Sequence, residues 1–492
     1  MYNEGLSMEP SMNDIKKLTE NDRYSICPVS SRIPSDGKTP MDVLRILMNV
    51  SKHCYLLESV DQDKRWGRYS FLGYDPKLLI ACSNGHMRIG DLKIETDDPN
   101  KYIRQVLEEH RSPKIPGLPP FTGGLVGYFS YDYLKYAEPT LHNDVEDTEG
   151  FQDVDLMLFD KVIAFDNISK EIVLISNVDL SELDTSYNKA ALEINEMIRL
   201  IKEGEPLKDV SGHMTSDVRY MFDKEKYCSM VERAKYHIHE GDIFQIVLSN
   251  RIEADFEGSL YNTYKILREL NPSPYMFFFS GSDMEVAGAS PETLVKLEDG
   301  VLHTFPLAGT RRRGKTPEED IELERDLLSD EKELAEHNML VDLGRNDIGR
   351  IAKFGTVEVE KYHSIQRFSH VMHIGSTVRG EIKDGKDALD AIDSILPAGT
   401  LSGAPKIKAC QLINDMENNK RGIYGGAIGY VDFSGNLDTA IAIRIAYKKN
   451  GKVFVRSGAG IVADSVPENE YQECLNKAAA VIAALKKGEE EE

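Results

Sequence analysis

The stretch LDTAIAIRIAYKKNGKVFVRSGAGI, Leu437 to Ile461, decides the fold class. Two runs rich in β-branched and aromatic residues meet at a short glycine-containing turn, the pattern of an antiparallel hairpin. In the first run one face carries Thr439, Ile441, Ile443 and Ile445, and the other carries Ala440, Ala442, Arg444 and Ala446. Period-two alternation predicts one unbroken, half-buried strand through Arg444. An arginine among alanines has open volume around it. It either forms a structural ion pair or grips a substrate carboxylate through its planar fork. Gly458 and Gly460, at the end of the second run, are either ordinary turn glycines or positions where backbone N–H groups approach an anion.

Outward from this hairpin the same patterning recurs. CYLLESV, VIAFDNI and EIVLISNV before residue 201, and DIFQIVLSNRIEADF, MEVAGAS, TLVKLEDGVLHTFP and HVMHIGSTVRGEI after it, read as strands. YNKAALEINEMIRLIKEG reads as an amphipathic helix stopped at Gly204, and a second helix opens at a cap on Asp223. The strand count predicts an α+β protein whose large, mostly antiparallel sheets carry helices on their outer faces. Ile201 to Asp223 is the best linker candidate. The echo of GGLVGY (Gly123 to Tyr128) in GGAIGY (Gly425 to Tyr430) reads as chance rather than as a repeat, and the tail KKGEEEE as solvated and disordered.

With 82 acidic against 59 basic residues and a formal net charge of −23, the chain is a poor partner for nucleic acid or an anionic membrane. No apolar run approaches the roughly 20 residues that span a bilayer. The first residues lack the apolar core of a secretory signal. The six cysteines are widely spaced without a CxxC pair, which fits reduced thiols in a cytoplasmic enzyme.

Two predicted helices place carboxylates in register. DEKELAEHNML sets Glu333 and Glu336 three apart, and SVPENEYQECLNKAAAV sets Glu470, Glu473 and Lys477 at i, i+3 and i+7. They are either solvated helix faces or the one or two carboxylates that, with waters and substrate oxygens, usually hold Mg²⁺. His370 and His373 would leave a strand on opposite faces, which argues against a paired metal site. PLAGTRRRGK, Pro306 to Lys315, crowds four cations behind a small-residue triplet and invites an anion.

Together these segments resemble the chorismate-utilising enzymes, most closely the anthranilate synthase component I family. The resemblance is carried by GDIFQIVLS, NPSPYM, GASPETLV, PLAGTRRRG, DEKELAEHNMLVDLGRND, HVMH, PAGTLSGAPK, YGGAIGY, LDTAIAIR and SGAGIVADSVPENEYQE, in order over residues 227–480. YLLESV and RWGRYSFLG extend it into the N-terminal half. It implies antiparallel sheets packed as a sandwich with helices outside. It also implies a division into an N-terminal domain, residues 1–215, that carries a tryptophan feedback segment, and a chorismate-binding catalytic domain, residues 216–488.

The same resemblance assigns roles. Glu336 and Glu473 would hold Mg²⁺ on the ring carboxylate, with Glu333 and Glu470 in its further shell. Arg444, Tyr424 and the backbone of Gly458, Ala459 and Gly460 would hold the enolpyruvyl carboxylate. Gly309 and Thr310 would touch the substrate, with Thr400 and Lys477 near them. Glu292 would protonate the departing 4-hydroxyl, and His373 would assist loss of pyruvate. Arg311 to Arg313 would only hold the loop or raise the local potential, and Arg312 stands where the family usually has proline. Ser59, Pro274, Tyr275 and Met276 match the family's L-tryptophan inhibitor pocket.

Two positions select the reaction. Relatives that make aminodeoxychorismate carry a nucleophilic lysine where this chain has Ala308, and relatives that add water carry a lysine base where it has Gln245. Ammonia needs no such base, so the resemblance implies amination of chorismate to anthranilate. No cysteine lies in the G-x-C-x-G elbow of a glutamine amidotransferase. A separate amidotransferase subunit, component II of anthranilate synthase, is therefore implied, in a heterotetramer of two of each. Aminodeoxychorismate synthase component I and a catalytically silent amino-acid sensor are the alternatives.

Overall fold

The computed structural model describes residues 7–18, 23–59, 67–141, 145–367 and 371–490. Two extended sheets of 13 and 12 strands, with antiparallel ladders throughout, form the body. At its centre the first sheet runs through the strands Cys54–Glu58, Tyr275–Ser280, Glu285–Ser290, Ile445–Lys449, Lys452–Ile461 and Gln245–Gly258. The second runs from Leu307–Arg312 through Val371–Glu381, Val301–Thr304, Thr293–Glu298, Leu437–Ile441 and Ala427–Asp432 to Gly124–Phe129.

Alternation along each strand distributes side chains between layers. In the apolar run YMFFFS, Phe277 and Phe279 point to an aromatic core with Tyr55, Phe121, Tyr128 and Phe159, drawn from both sheets and so lying between them. Met276 and Phe278 point the other way, into a core covered by the helices Pro40–Val50, Leu183–Glu203 and Pro467–Gly488. Burial on both faces explains why this strand is apolar at nearly every position instead of alternating. The second sheet's outer face is covered by Pro99–Glu109, Glu331–Gly349 and Ala388–Ile395. Packed sheets with helices outside are the fold class expected.

Three local expectations need correction. LDTAIAIRIAYKK is not one strand. It breaks after Ile441, passes Arg444 at φ 55°, and resumes at Ile445 in the other sheet. The supposed linker carries two short strands, Gly212–Met214 and Arg219–Tyr220, both paired with Gln245–Gly258. The 215/216 boundary falls between them, and strands from either side share both sheets. The two echoing segments are neighbours in the second sheet, Gly124–Phe129 beside Ala427–Asp432 with Gly127 opposite Gly429, which does not make them a repeat. The tail is ordered further than its composition suggests, since Pro467–Gly488 is helical and the Met214 N–H donates to Glu489 Oε1 at 2.7 Å. No helix of the described residues is long and apolar enough to cross a membrane.

Candidate active site

The break at Arg444 has a twin. Glu285–Ser290 lies in the first sheet and Thr293–Glu298 in the second, so the chain also changes sheets at Pro291-Glu292. The two crossing chains are adjacent: the Ile441 N–H donates to the Glu292 carbonyl at 2.9 Å, and the Ala289 N–H to the Arg444 carbonyl at 3.1 Å. Strands that switch sheets do so at bends, where ladder pairing lapses and side chains are re-aimed. Both crossings open on one cavity of about 740 Å³, which Glu292 and Arg444 line together.

Nearly every residue singled out from the sequence lines that cavity: Gln245, Glu292, Gly309, Thr310, Glu333, Glu336, His373, Thr400, Tyr424, Arg444, Gly458, Gly460, Glu470, Glu473 and Lys477. Among the residues assigned to substrate or metal, Ala459 is the exception. It is buried between Gly458 and Gly460, and its methyl packs in the core behind the strand. The glycines are required by close approach. A Cβ at Gly458 would stand 2.6 Å from the Leu248 carbonyl oxygen and 3.2 Å from Tyr424 Oη. Gly309, at φ 69°, forms the bulge between Ala308 and Thr310, and its carbonyl thereby turns to His373.

The electrostatics divide the cavity into functional ends. Arg444 is half-buried, burial depresses its pKa, and no hydrogen bond or ion pair to a described residue engages its guanidinium. Such a charge is costly unless an anion arrives to pair with it. Beside it, burial pushes the Glu292 carboxyl up to about 7, against the opposing pull of the Thr400 hydroxyl, which donates to Oε1 at 3.0 Å, and of Lys477. Near neutrality Glu292 is thus poised to give up a proton. His373 Nδ1 lies 2.9 Å from the Gly309 carbonyl, so Nδ1 carries the proton and Nε2 the lone pair. Burial lowers its pKa, keeping the ring neutral. Gln245 Oε1 is buried without a hydrogen-bond partner.

Carboxylates from two helices form the opposite wall. Glu333 and Glu336 come from Glu331–Gly349, and Glu470 and Glu473 from Pro467–Gly488. Burial, then the neighbouring Glu333, raises the Glu336 pKa, and burial raises that of Glu470. Lys477 bridges Glu473 Oε1 at 2.8 Å and the Gly458 carbonyl at 3.2 Å. Among the described residues no three His, Cys, Asp or Glu side chains converge as a ready-made metal cage. Crowded carboxylates that supply one or two ligands each side of an open cavity match the donor chemistry of Mg²⁺, which keeps waters and substrate oxygens in its shell. His370 lies outside the described residues, as does the Arg65-Trp66 part of RWGRYSFLG.

The arginine run does not line the cavity. Arg311 pairs with Asp326, Asp330 and Glu333, Arg312 with Glu319, and Arg313 with Asp320. Of the two roles left open for the run, holding the loop is the one its contacts serve.

Sequence reasoning missed a buried triad under the cavity floor. Glu417 accepts from Arg421 Nη2 at 2.6 Å, from Arg456 Nη2 at 2.8 Å and from the Ser249 N–H at 2.7 Å. Burial would raise the Glu417 carboxyl, but the two arginines hold it low. Arg421 also donates to the Leu401 carbonyl, beside Thr400, and Arg456 reaches the cavity lining. The signal was present: Arg456 sits on an apolar strand, as Arg444 seemed to, and Glu417 and Arg421 are four apart on the chain.

Away from the cavity, the strands Cys54–Glu58 and Tyr275–Ser280 are paired, with Met276 opposite Glu58. Residues more than 200 positions apart are thereby joined, and Ser59 lies at the strand end with its Oγ buried and without a hydrogen-bond partner among the described residues. Tyr275 and Met276 leave their strand on opposite faces: the Tyr275 hydroxyl donates to Asp438 Oδ1 at 2.7 Å, whereas Met276 is in the helix-covered core. A ligand touching both lies across the strand end, beside Pro274, and not on one face.

Two packed antiparallel sheets with helices outside are the fold that the resemblance to the chorismate-utilising enzymes implied. Residues 52–483 match the family model of a chorismate binding enzyme. Anthranilate synthase component 1 of Acetivibrio thermocellus is 42% identical over 98% of this chain and 99% of its own, and that of Aquifex aeolicus is 43% identical over 99% of each. The crystal structure of anthranilate synthase component I from Streptococcus pneumoniae superposes with a TM-score of 0.76 at 39% identity, covering 84% of this chain and 92% of that one. The menaquinone-specific isochorismate synthase of Escherichia coli, at 19% identity and a TM-score of 0.71 over 96% and 98% of the chains, shares the fold. The chain belongs to the chorismate binding enzyme family, within its anthranilate synthase component 1 branch.

Proposed function

We propose that the chain is the aminating subunit of an anthranilate synthase, converting chorismate and ammonia to anthranilate and pyruvate. The observation that carries this reading is the pairing, at two adjacent sheet crossings, of an uncompensated arginine with a carboxylic acid protonated near neutrality. Arg444, with Tyr424 and the Gly458–Gly460 backbone, holds the enolpyruvyl carboxylate. Gly309 and Thr310 contact the ring. Ammonia adds at carbon 2 as the 4-hydroxyl leaves, and Glu292 delivers the proton that makes it water. The ammonium so formed returns a proton to the Glu292 carboxylate, and His373 Nε2 then takes the carbon-2 proton as the carbon-3 C–O bond breaks; the side chain leaves as the enolate of pyruvate, which that proton converts to pyruvate. Ala308 supplies no nucleophile and Gln245 no base, which favours free ammonia over a covalent intermediate or water.

Mg²⁺, held by Glu336 and Glu473 with Glu333 and Glu470 around them, would offset the charge of the ring carboxylate. Glu336→Gln or Glu473→Gln is expected to remove most activity while circular dichroism stays that of the wild type. Wild-type activity that survives EDTA would refute the metal assignment.

A partner amidotransferase supplies ammonia from glutamine, in a heterotetramer of two subunits of each kind, in the cytoplasm. That this chain does not itself hydrolyse glutamine is supported by its thiols, of which five of six are buried and the sixth, Cys228, is partly so. Burial raises the pKa of all six, the opposite of an activated nucleophile. The isolated chain should therefore form anthranilate from chorismate, Mg²⁺ and ammonium, faster as pH releases NH₃, and should ignore glutamine. Aminodeoxychorismate as product, or no turnover at all, would replace this reading by that of an aminodeoxychorismate synthase or of a silent sensor.

Feedback by L-tryptophan at Ser59, Pro274, Tyr275 and Met276 completes the proposal. The support is the buried Ser59 hydroxyl, without a hydrogen-bond partner among the described residues, at the junction of two distant segments. Ser59→Leu should leave kcat near normal and abolish an inhibitory coupling of typically ~1–3 kcal/mol. A variant as tryptophan-sensitive as the wild type would return Ser59 to a packing role.

A further inference from the structure

We propose that Arg311 is a positioning residue: its guanidinium sets the spacing between the Glu333 and Glu336 face of the helix Glu331–Gly349 and the Thr310–His373 pair across the cavity. The inference rests on the amination reading above. Arg311 Nε donates to Asp326 Oδ2 at 2.6 Å, Nη2 to Asp330 Oδ2 at 2.8 Å and Nη1 to the Thr310 carbonyl at 3.0 Å, and Nη1 lies 3.7 Å from Glu333 Oε1. One planar cation thus ties together the end of the helix Pro317–Ser329, the cap and first turn of the carboxylate helix, and the strand that carries Thr310.

Each tie leads to a site group. Asp330 caps the carboxylate helix, accepting the N–H groups of Lys332 and Glu333 at 3.1 and 3.2 Å. Thr310 Oγ1 lies 3.1 Å from His373 Nδ1. A Cβ at Gly309 would come within 3.1 Å of Glu333 Oε2, so helix and strand have almost no slack at this point.

Apolar packing at this end of the wall is limited. The apolar cluster beneath it has Leu327, Met372 and Ile374 as buried members, with Leu323, Leu328, Leu334 and Ile365 partly buried against them, the smallest of the five clusters among the described residues. Further along, the helix is anchored by Val341 and Ile348 in the core and by His337, whose Nε2 lies 2.7 Å from Ser376 Oγ, so it is the position of the first turn that the fork helps to set. Lysine, a point charge on a flexible stem, cannot make the same three-way contact. Partly exposed ion pairs contribute little to global stability, whereas a misplacement of roughly 1 Å can cost 10²-fold in rate. Arg312 offers an internal control, because its side-chain ion pair goes only to Glu319.

The test compares the purified full-length wild type with Arg311→Gln, Arg311→Lys and Arg312→Gln. The readouts are kcat and KM for chorismate with ammonium, Mn²⁺ affinity by calorimetry, and Tm. Arg311→Gln should lower kcat by at least ~30-fold, weaken Mn²⁺ several-fold, and shift Tm little more than Arg312→Gln does. Arg311→Lys should recover less than a tenth of the lost kcat, and Arg312→Gln should stay within about twofold of the wild type on every measure. Should Arg311→Gln fail to fold, Arg311→Lys decides by the same criteria. Wild-type kcat and Mn²⁺ affinity in Arg311→Gln, or in Arg311→Lys where that variant decides, would overturn the proposal. Losses that merely follow Tm in all variants would do the same. A wild type that makes no anthranilate would sink the functional reading instead, and the Mn²⁺ affinities would still report on the wall.

Discussion

Glu292→Gln is expected to lower kcat by ~10²–10⁴, the usual contribution of a positioned acid, with KM for chorismate little changed. The amide keeps the size of the side chain and its acceptor for the Thr400 hydroxyl, but it cannot release a proton to the departing 4-hydroxyl. Because the Glu292 carboxyl titrates at about 7, wild-type kcat, with free NH₃ held saturating, should fall tenfold per unit once pH passes well above 7. That decline opposes the gain in free NH₃, so rates must be referred to NH₃ and not to total ammonium. The stability sign follows from the same shift. A carboxyl raised above its ordinary 4.5 stabilises the fold fully below that pH, and the contribution is lost as pH rises through about 7. At pH 8 the Gln variant should be at least as stable as the wild type. An undiminished kcat, or a pH profile shared by wild type and variant, would exclude Glu292 as the acid.

Arg444→Asn should cut kcat/KM for chorismate by roughly 30- to 1000-fold, the ~2–4 kcal/mol lost when one partner of a desolvated charge pair is removed. Asparagine is the informative choice because it tolerates the left-handed backbone at φ 55° better than alanine does. Burial already depresses the arginine's pKa, and no hydrogen bond or ion pair to a described residue engages the side chain, so the fold loses nothing with it. Tm should stay level or rise while activity falls, the trade expected of a side chain kept for a ligand. A drop in Tm with intact kcat/KM would make Arg444 structural.

Much of this was legible in the residues. Alternation in Leu437 to Ile461, with its turn at Asn450 and Gly451, announces antiparallel pairing, and the apolar YMFFFS announces a strand buried on both faces. Helical spacing places Glu333 beside Glu336 and Glu470 beside Glu473, because i and i+3 share a helix face whatever the tertiary context. The cation run was the least legible feature. Its charge suggested an anionic ligand, yet Arg311, Arg312 and Arg313 are neutralised by the acidic helix that follows them. Which charge on a chain stays unpaired is a property of the packed state.

The sequence by itself determined the types of the elements and the chemistry of their side chains, since propensity and periodicity are local. It could not show that two adjacent chains leave one sheet for the other at Glu292 and at Arg444, because a strand that crosses keeps the alternation of one that continues. Only the packing of the two sheets turned those continuous patterns into corners. With the ladder bonds interrupted there, an acid and an arginine 152 positions apart were left facing one cavity.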